Sequence, residues 1–159
     1  MDDLARHFIE EEPRTRIGEV LGVDVAAIRG WWVQPLTMLL GGQVLGRFFG
    51  KPGHHTRSGV GYSAAMAACG AVHACGHIIS ARMVEAPMDT LLVTPMRTYT
   101  LYDDTGDTIS EDQHRGRAIG GPVANLAAGF GALVLSSFVK SRSVRFFGIA
   151  STCIGAASL

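Results

Sequence analysis

A chain of 159 residues with 14 basic and 14 acidic side chains carries no formal net charge, and no stretch forms the basic stripe that holds nucleic-acid phosphates, so nucleic acid is not expected as a partner. Hydrophobic residues make up 47% and charged ones 18%, with the charges crowded into residues 1–29, 47–57, 82–117 and 140–145. A soluble domain would scatter charge along amphipathic elements; the long uncharged runs here predict an integral, multi-pass membrane protein, mainly α and polytopic.

Residues 1–30 are expected to be exposed or interfacial. The opening "MDDLARHFIEEEP" is acidic and lacks the apolar core of a cleavable signal peptide, so insertion would rely on internal spans. Ile17, Val20, Leu21, Val25 and Ile28 follow a roughly helical spacing that Gly18 and Gly22 weaken. Trp31 and Trp32 suit the aromatic belt of a membrane boundary and open the membrane domain, 31–159. The first apolar run, 31–49, is interrupted by Gln34, Pro35 and Arg47, which predicts a span or a re-entrant segment.

"GKPGHHTRSG", residues 50–59, is a loop by its glycines, proline and charges, with His54 and His55 as solvated loop residues. The run 59–81 is the clearest span. Its first half, "GVGYSAAMAACGA", is nearly all small residues, which let helix backbones approach closely inside a bundle. Residues 85–116 change character: "DTLLVTPMRTYTLYDDTGDTIS" is rich in β-branched and aromatic side chains and predicts a short hairpin between the core helices, with Pro95 at an edge or bulge. "DDTGD" is its turn signal, and Asp103, Asp104 and Asp107 are expected to be solvated there. A further span covers 118–139, with Gly120, Gly121 and Pro122 shaping the helix start. Lys140 to Arg145 is a basic loop, and 146–159 begins a last, partial span. Cys69, Cys75 and Cys153 lie in apolar runs without framework spacing, so they are expected as small buried hydrophobes rather than disulfides.

The chemistry concentrates in "VHACGHIISARM". His73 and His77, four residues apart, share one helical face and can grip a metal. Ionisable groups inside a span are functional candidates by default. The plainer alternative is a pair of bundle-facing polar residues bonded to neighbouring helices. A helical histidine beside small residues such as Cys69 and Ala74 also suits axial ligation of a haem or chlorophyll-type macrocycle.

The order of motifs resembles the site-2-type intramembrane zinc metalloproteases: a small-residue helix ending in a histidine pair, a hairpin, then a helix opening with G-P-x-x-N. "HACGH" is similar to the H-E-x-G-H signature, so the resemblance implies that His73 and His77 are zinc ligands, with Gly76 also matching. "GGPVANL" matches at Gly121, Pro122 and Asn125, and the resemblance implies a substrate-binding role for these three, with plain bonding between helices as the alternative for Asn125. It covers roughly residues 59–159. Two departures matter. Ala74 stands where the family has the glutamate that takes a proton from the attacking water, and the family's third ligand, an aspartate in a D-G motif, would fall beyond Leu159. The resemblance therefore implies an inactivated or degenerate relative, binding a transmembrane or extended peptide without hydrolysing it.

A second reading keeps the same residues in a non-catalytic subunit of a larger membrane complex, near a haem or chlorophyll-type pigment. Orientation is left open. Lys51, Arg57, Lys140, Arg142 and Arg145 would mark cytoplasmic loops, whereas the resemblance implies that the histidine end of the helix faces the cytoplasm.

Overall fold

Leu21 and Gly22 both have positive φ, 50° and 71°, which is the backbone a two-residue hairpin turn requires. They reverse the chain between β1 (Thr15–Val20) and β2 (Val23–Ala27), closed by the Val20–Val23 pair. The helical spacing at 17–28 is thus corrected to two strands, with a register shift between Arg16 and Gly18 absorbing Ile17. The structure is a computed structural model and describes residues 12–102 and 109–159.

After β2 come α1 (Val33–Phe49) and α2 (His55–Met83), then β3 (Thr90–Val93) and β4 (Thr98–Leu101), then α3 (Glu111–Val139) and α4 (Arg142–Ala157). The sheet order is β1-β2-β3-β4. The two hairpins are antiparallel, and β2 joins β3 in parallel with Val25 beside Leu91. The parallel join needs a crossover, which α1 and α2 supply. The predicted hairpin is present, but Pro95 sits in the turn between its strands. There the Thr94 hydroxyl donates to the Arg97 carbonyl at 2.7 Å and accepts from the main-chain N–H of Met96 and Arg97. The "DDTGD" turn and its three aspartates lie outside the described residues.

One sheet face puts Val23 and Leu91 with Met88 against Ile78 and Ala81 at the end of α2, and Ala74 joins the edge of that cluster. The other face buries Ala26, Ile28 and Leu92 beside Tyr99 and Leu101. Alternation along the strands explains the division, since neighbours point to opposite faces.

The helices are held differently. Their buried positions are mostly glycine, alanine, serine and asparagine, and large apolar side chains face outward: Phe48 is 76% exposed and Phe138 79%. Gly42 and Gly46 of α1 lie against Gly59 and Ser63 of α2, Gly76 of α2 against Gly120 and Ala124 of α3, and Gly148 and Gly155 of α4 against Leu133 and Leu126. Small residues inside and bulky ones outside is the arrangement of helices packed in lipid, the reverse of a water-soluble core.

Among the described residues two helices are long and apolar enough to cross a membrane, α2 and α3, with mean hydropathy of 1.4 and 1.6 in their apolar windows. Only 28% and 22% of those windows is buried within the protein, which sets them apart from soluble core helices. Helix α3 begins at Glu111, not at residue 118. Its first turns are polar, and Ser110 with Gln113 forms a reciprocal capping box. Pro122 is consequently deep inside the helix rather than in its first turn. Helix α4 likewise starts early, at Arg142, with the Ser141 side chain accepting from Val144 N–H.

Candidate functional site

His73 and His77 lie one turn apart on α2 and face α3. Their rings meet edge to face at 80°, with centroids 4.7 Å apart and the two Nε2 atoms separated by 3.1 Å. They converge because α3 presents Gly121 directly beneath them. A Cβ there would lie 2.5 Å from His77 Nε2 and 2.7 Å from His73 Nε2, closer than real Cβ atoms sit.

The hydrogen bonds around the pair run in one direction. His77 Nδ1 lies 2.8 Å from the main-chain carbonyl of Arg117; a carbonyl only accepts, so Nδ1 donates and His77 Nε2 keeps its lone pair. Asn125 Nδ2 lies 3.2 Å from His73 Nδ1; an amide nitrogen only donates, so His73 carries its proton on Nε2 and donates it to His77. Ser151 of α4 holds the asparagine, with its Oγ 3.0 Å from the Asn125 main-chain oxygen and 3.2 Å from Oδ1. These assignments follow from the bonding pattern, which is how tautomers and amide faces are fixed without hydrogens in view.

Arg117 is only 4% exposed. Its carbonyl also receives the Ser80 hydroxyl at 3.4 Å, its Nε donates to the Ala86 carbonyl at 2.7 Å, and its guanidinium lies 4.0 Å over the Tyr102 ring. It ties α3 to the chain leaving α2 at the level of the histidines.

The pair opens onto a cleft of about 740 Å³ between the sheet and the first two helices, lined by Val25, Leu91 and Thr100 from the strands, Met38 from α1, and Ala71 and Ala74 from α2, with both histidines. The walls are largely apolar, and the imidazoles bring polar groups into them, the usual make-up of a ligand site. The Ala74 methyl lines this cleft next to His73. Asn125, Gly121 and Pro122 are buried behind the histidines and do not line it. Asn125 and Gly121 touch the pair, while Pro122 turns its carbonyl towards Gly155 of α4.

Zinc holds imidazole nitrogens at about 2.0–2.1 Å in a tetrahedron, which places two ligand atoms roughly 3.3 Å apart. The 3.1 Å Nε2 separation suits that bite. The donor set falls short in two respects. Among the described residues no group of three His, Cys, Asp or Glu side chains converges. His73 Nε2 also carries the proton that a metal would displace, so its tautomer and the Asn125 amide would both have to turn. The pair supplies two corners of a zinc site. For a haem or chlorophyll-type ring, one Nε2 would have to point away from its neighbour, and here each is the other's partner.

Sequence reasoning missed Arg117, Ser80 and Ser151. Arg117 stands out only as the last charge before an apolar run, and the serines carry no distinguishing spacing. His54 and His55 lie apart from the pair; His55 is not a solvated loop residue but the first residue of α2, half-buried with its Nδ1 on the Gly46 carbonyl at 3.1 Å. All three cysteines are free, and the expected burial holds for Cys69 alone: Cys75 is half-buried and Cys153 exposed.

No family model and no curated protein matches the sequence. Among solved structures the fold is similar to that of a Site-2 Protease from Methanocaldococcus jannaschii, with a TM-score of 0.63 and 14% identity. The similarity covers 91% of this chain and 63% of that one, so the chain spans less than two thirds of the protein it matches. At that identity the likeness establishes the fold.

Proposed function

We propose that this chain is a membrane-embedded, site-2-protease-like core that holds a transmembrane or extended peptide in the cleft beside its sheet and does not hydrolyse it. The observation that carries the reading is the convergence of His73 and His77, Nε2 to Nε2 at 3.1 Å, on an apolar cleft beside an outer strand. Strand β4 is last in the sheet order. An extended peptide can pair with such an edge through main-chain bonds, and side-chain pockets then select its sequence. Thr98 and Thr100 of β4 line the cleft, so a peptide strand laid there runs past the imidazoles.

Absence of hydrolysis follows from what stands next to the pair. Attack by water needs a group that accepts its proton as the new bond forms, and Ala74 offers a methyl. Zinc, where bound, would polarise the scissile carbonyl and its water; His73 and His77 would hold it, and the described residues provide no third ligand. What the chain's own groups accomplish is binding and orientation. The sheet edge aligns a backbone, the apolar walls exclude water, and Arg117 and Asn125 fix the two rings.

The test is photo-crosslinking in proteoliposomes. Single-span peptides carrying a photoreactive residue should label the β4 strand and α2 near Ala74, and remain intact with or without added zinc. Labelling spread evenly over the lipid-facing surfaces would overturn the peptide site, and zinc-dependent cleavage would overturn the non-hydrolytic assignment.

A further inference from the structure

The aspartates and glutamates among the described residues all lie within 12–24 or 85–112. Among the described residues, the opposite end of the bundle, where α1 passes into α2 and α3 into α4, carries Arg47, Lys51, Arg57, Lys140, Arg142 and Arg145, all exposed, and no acid. The two connections form one surface. Arg142 Nη1 donates to the Phe49 carbonyl at 3.2 Å, the Tyr62 hydroxyl donates to the same oxygen at 3.1 Å, and the Tyr62 and Phe146 rings sit 4.8 Å apart.

Helix dipoles account for only part of this cluster. Arg47 and Lys140 lie at the C-terminal ends of α1 and α3, where a cation is favoured. Arg57, Arg142 and Arg145 lie in the first turns of α2 and α4, where a cation opposes the dipole and an acid would help. Neither first turn contains an acid, whereas α3, which starts at the other end, opens with Glu111 and Asp112. Three arginines thus sit where they weaken their own helices, next to main-chain N–H groups that favour anions. Phe48, Phe49 and Phe138 point outward beside them, 76%, 67% and 79% exposed, so the cations stand at the rim of an apolar belt.

We propose that this end is a binding surface for the phosphodiester headgroups of anionic phospholipids. Arginine grips phosphate oxygens through paired N–H groups, the helix N-termini add donors, and the neighbouring phenylalanines place the surface at headgroup depth. The site is independent of the histidine cleft.

The experiment is native mass spectrometry of the full chain after equilibration with equal amounts of phosphatidylglycerol and phosphatidylcholine in mixed micelles. The unaltered protein should retain the anionic lipid several-fold over the zwitterionic one, and a tenfold rise in sodium chloride should reduce that ratio. The Lys51→Gln/Arg57→Gln/Arg145→Gln variant should bring the ratio close to one, and Arg115→Gln at the other end should leave it unchanged. Equal retention of both lipids by the unaltered chain overturns the proposal, as does a preference indifferent to salt. Displacement of the lipid by millimolar glycerol phosphate would reassign the surface to soluble anions and overturn it equally. The salt series needs no substitution and decides the matter if the triple variant fails to fold.

Discussion

His77 donates its Nδ1 proton to the main-chain carbonyl of Arg117 across 2.8 Å, and that bond decides which nitrogen of the ring faces the cleft chemistry. A carbonyl from the neighbouring helix fixes the tautomer that leaves Nε2 basic, the arrangement metal-binding histidines use. His73 is set the opposite way by the Asn125 amide at 3.2 Å, so one ring is ready for a metal and the other is not.

Asn125→Asp should correct that asymmetry. A carboxylate at this position accepts from His73 Nδ1, moves the proton off Nε2 and frees a second lone pair. Outer-shell partners of this kind change metal affinity by roughly 10–100-fold, so the variant should bind zinc that much more tightly than the unaltered chain in competition with a chromophoric chelator. Equal affinity of the two proteins would mean that Asn125 does not control the His73 tautomer.

Gly121→Ala should destabilise the bundle at the histidine pair. Its Cβ would stand 2.5 Å and 2.7 Å from the two Nε2 atoms, so either the rings separate or α2 and α3 move apart, with a cost of about 1–3 kcal/mol for overpacking. Gly131→Ala on the same helix meets nothing within 4 Å and should stabilise by roughly 0.5–1 kcal/mol through helix propensity. Thermal unfolding in detergent compares the two; similar midpoints would show that the helices do not cross at Gly121.

Ser151 is fully buried and holds Asn125 from α4. Ser151→Ala removes the one hydroxyl proton that the two Asn125 oxygens share, at about 1–3 kcal/mol. Nitrogen-15 spectra of labelled histidine should show His73 losing its single tautomer while His77, held by Arg117, keeps its own. Loss of both would indicate a general loosening instead.

How legible all this was depends on the kind of signal. Uncharged runs disclosed the two long apolar helices because a bilayer excludes charge, and the spacing of His73 and His77 put them on one face. Gly121 and Asn125 came from the order of motifs, and the structure brings both against the pair. The hairpin at 15–27 was hidden because Ile17, Val20, Leu21, Val25 and Ile28 satisfy a helical spacing, and its turn places Leu21 at a positive φ where a glycine or asparagine would have announced it. The start of α3 was obscured by its polar first turns, although S-x-x-Q at Ser110 was available as a capping signal. The contribution of Arg117 was invisible in principle: any residue supplies a carbonyl, and only the crossing of α3 over α2 selects this one.

The connections also predict a topology. The α1–α2 and α3–α4 connections share one end of the bundle, so Lys51→Cys and Lys140→Cys should react with a membrane-impermeant thiol reagent from the same side of sealed vesicles. Glu111→Cys, at the start of α3, should react only from the other side. Labelling of Lys51→Cys and Lys140→Cys from opposite sides would contradict the packing of α2 against α3 and of α3 against α4.

Ala74→Glu tests the proposed function most directly. The new carboxylate would enter the cleft one residue from His73, at the edge of the cluster formed by Ile78 and Leu91, and supply the missing proton acceptor. Charge at the centre of a span costs about 2.5–3.5 kcal/mol on insertion scales; Ala74 sits towards one end of α2, so the melting temperature should fall by less than that figure implies. Activity should not return, because the described residues give zinc two imidazoles and no third ligand to organise its water. Joined to a further segment that carries a D-G motif, the same variant should cleave a single-span peptide in proteoliposomes and stop when a chelator is added. Cleavage by Ala74→Glu without that segment would show that two histidines suffice, and the reasoning from ligand number would fail. If the joined protein is folded and loaded with zinc yet leaves a broad panel of membrane peptides intact, the fold serves binding alone. If it takes up no zinc at all, His73 and His77 are a structural pair, and their bond to one another is their whole function.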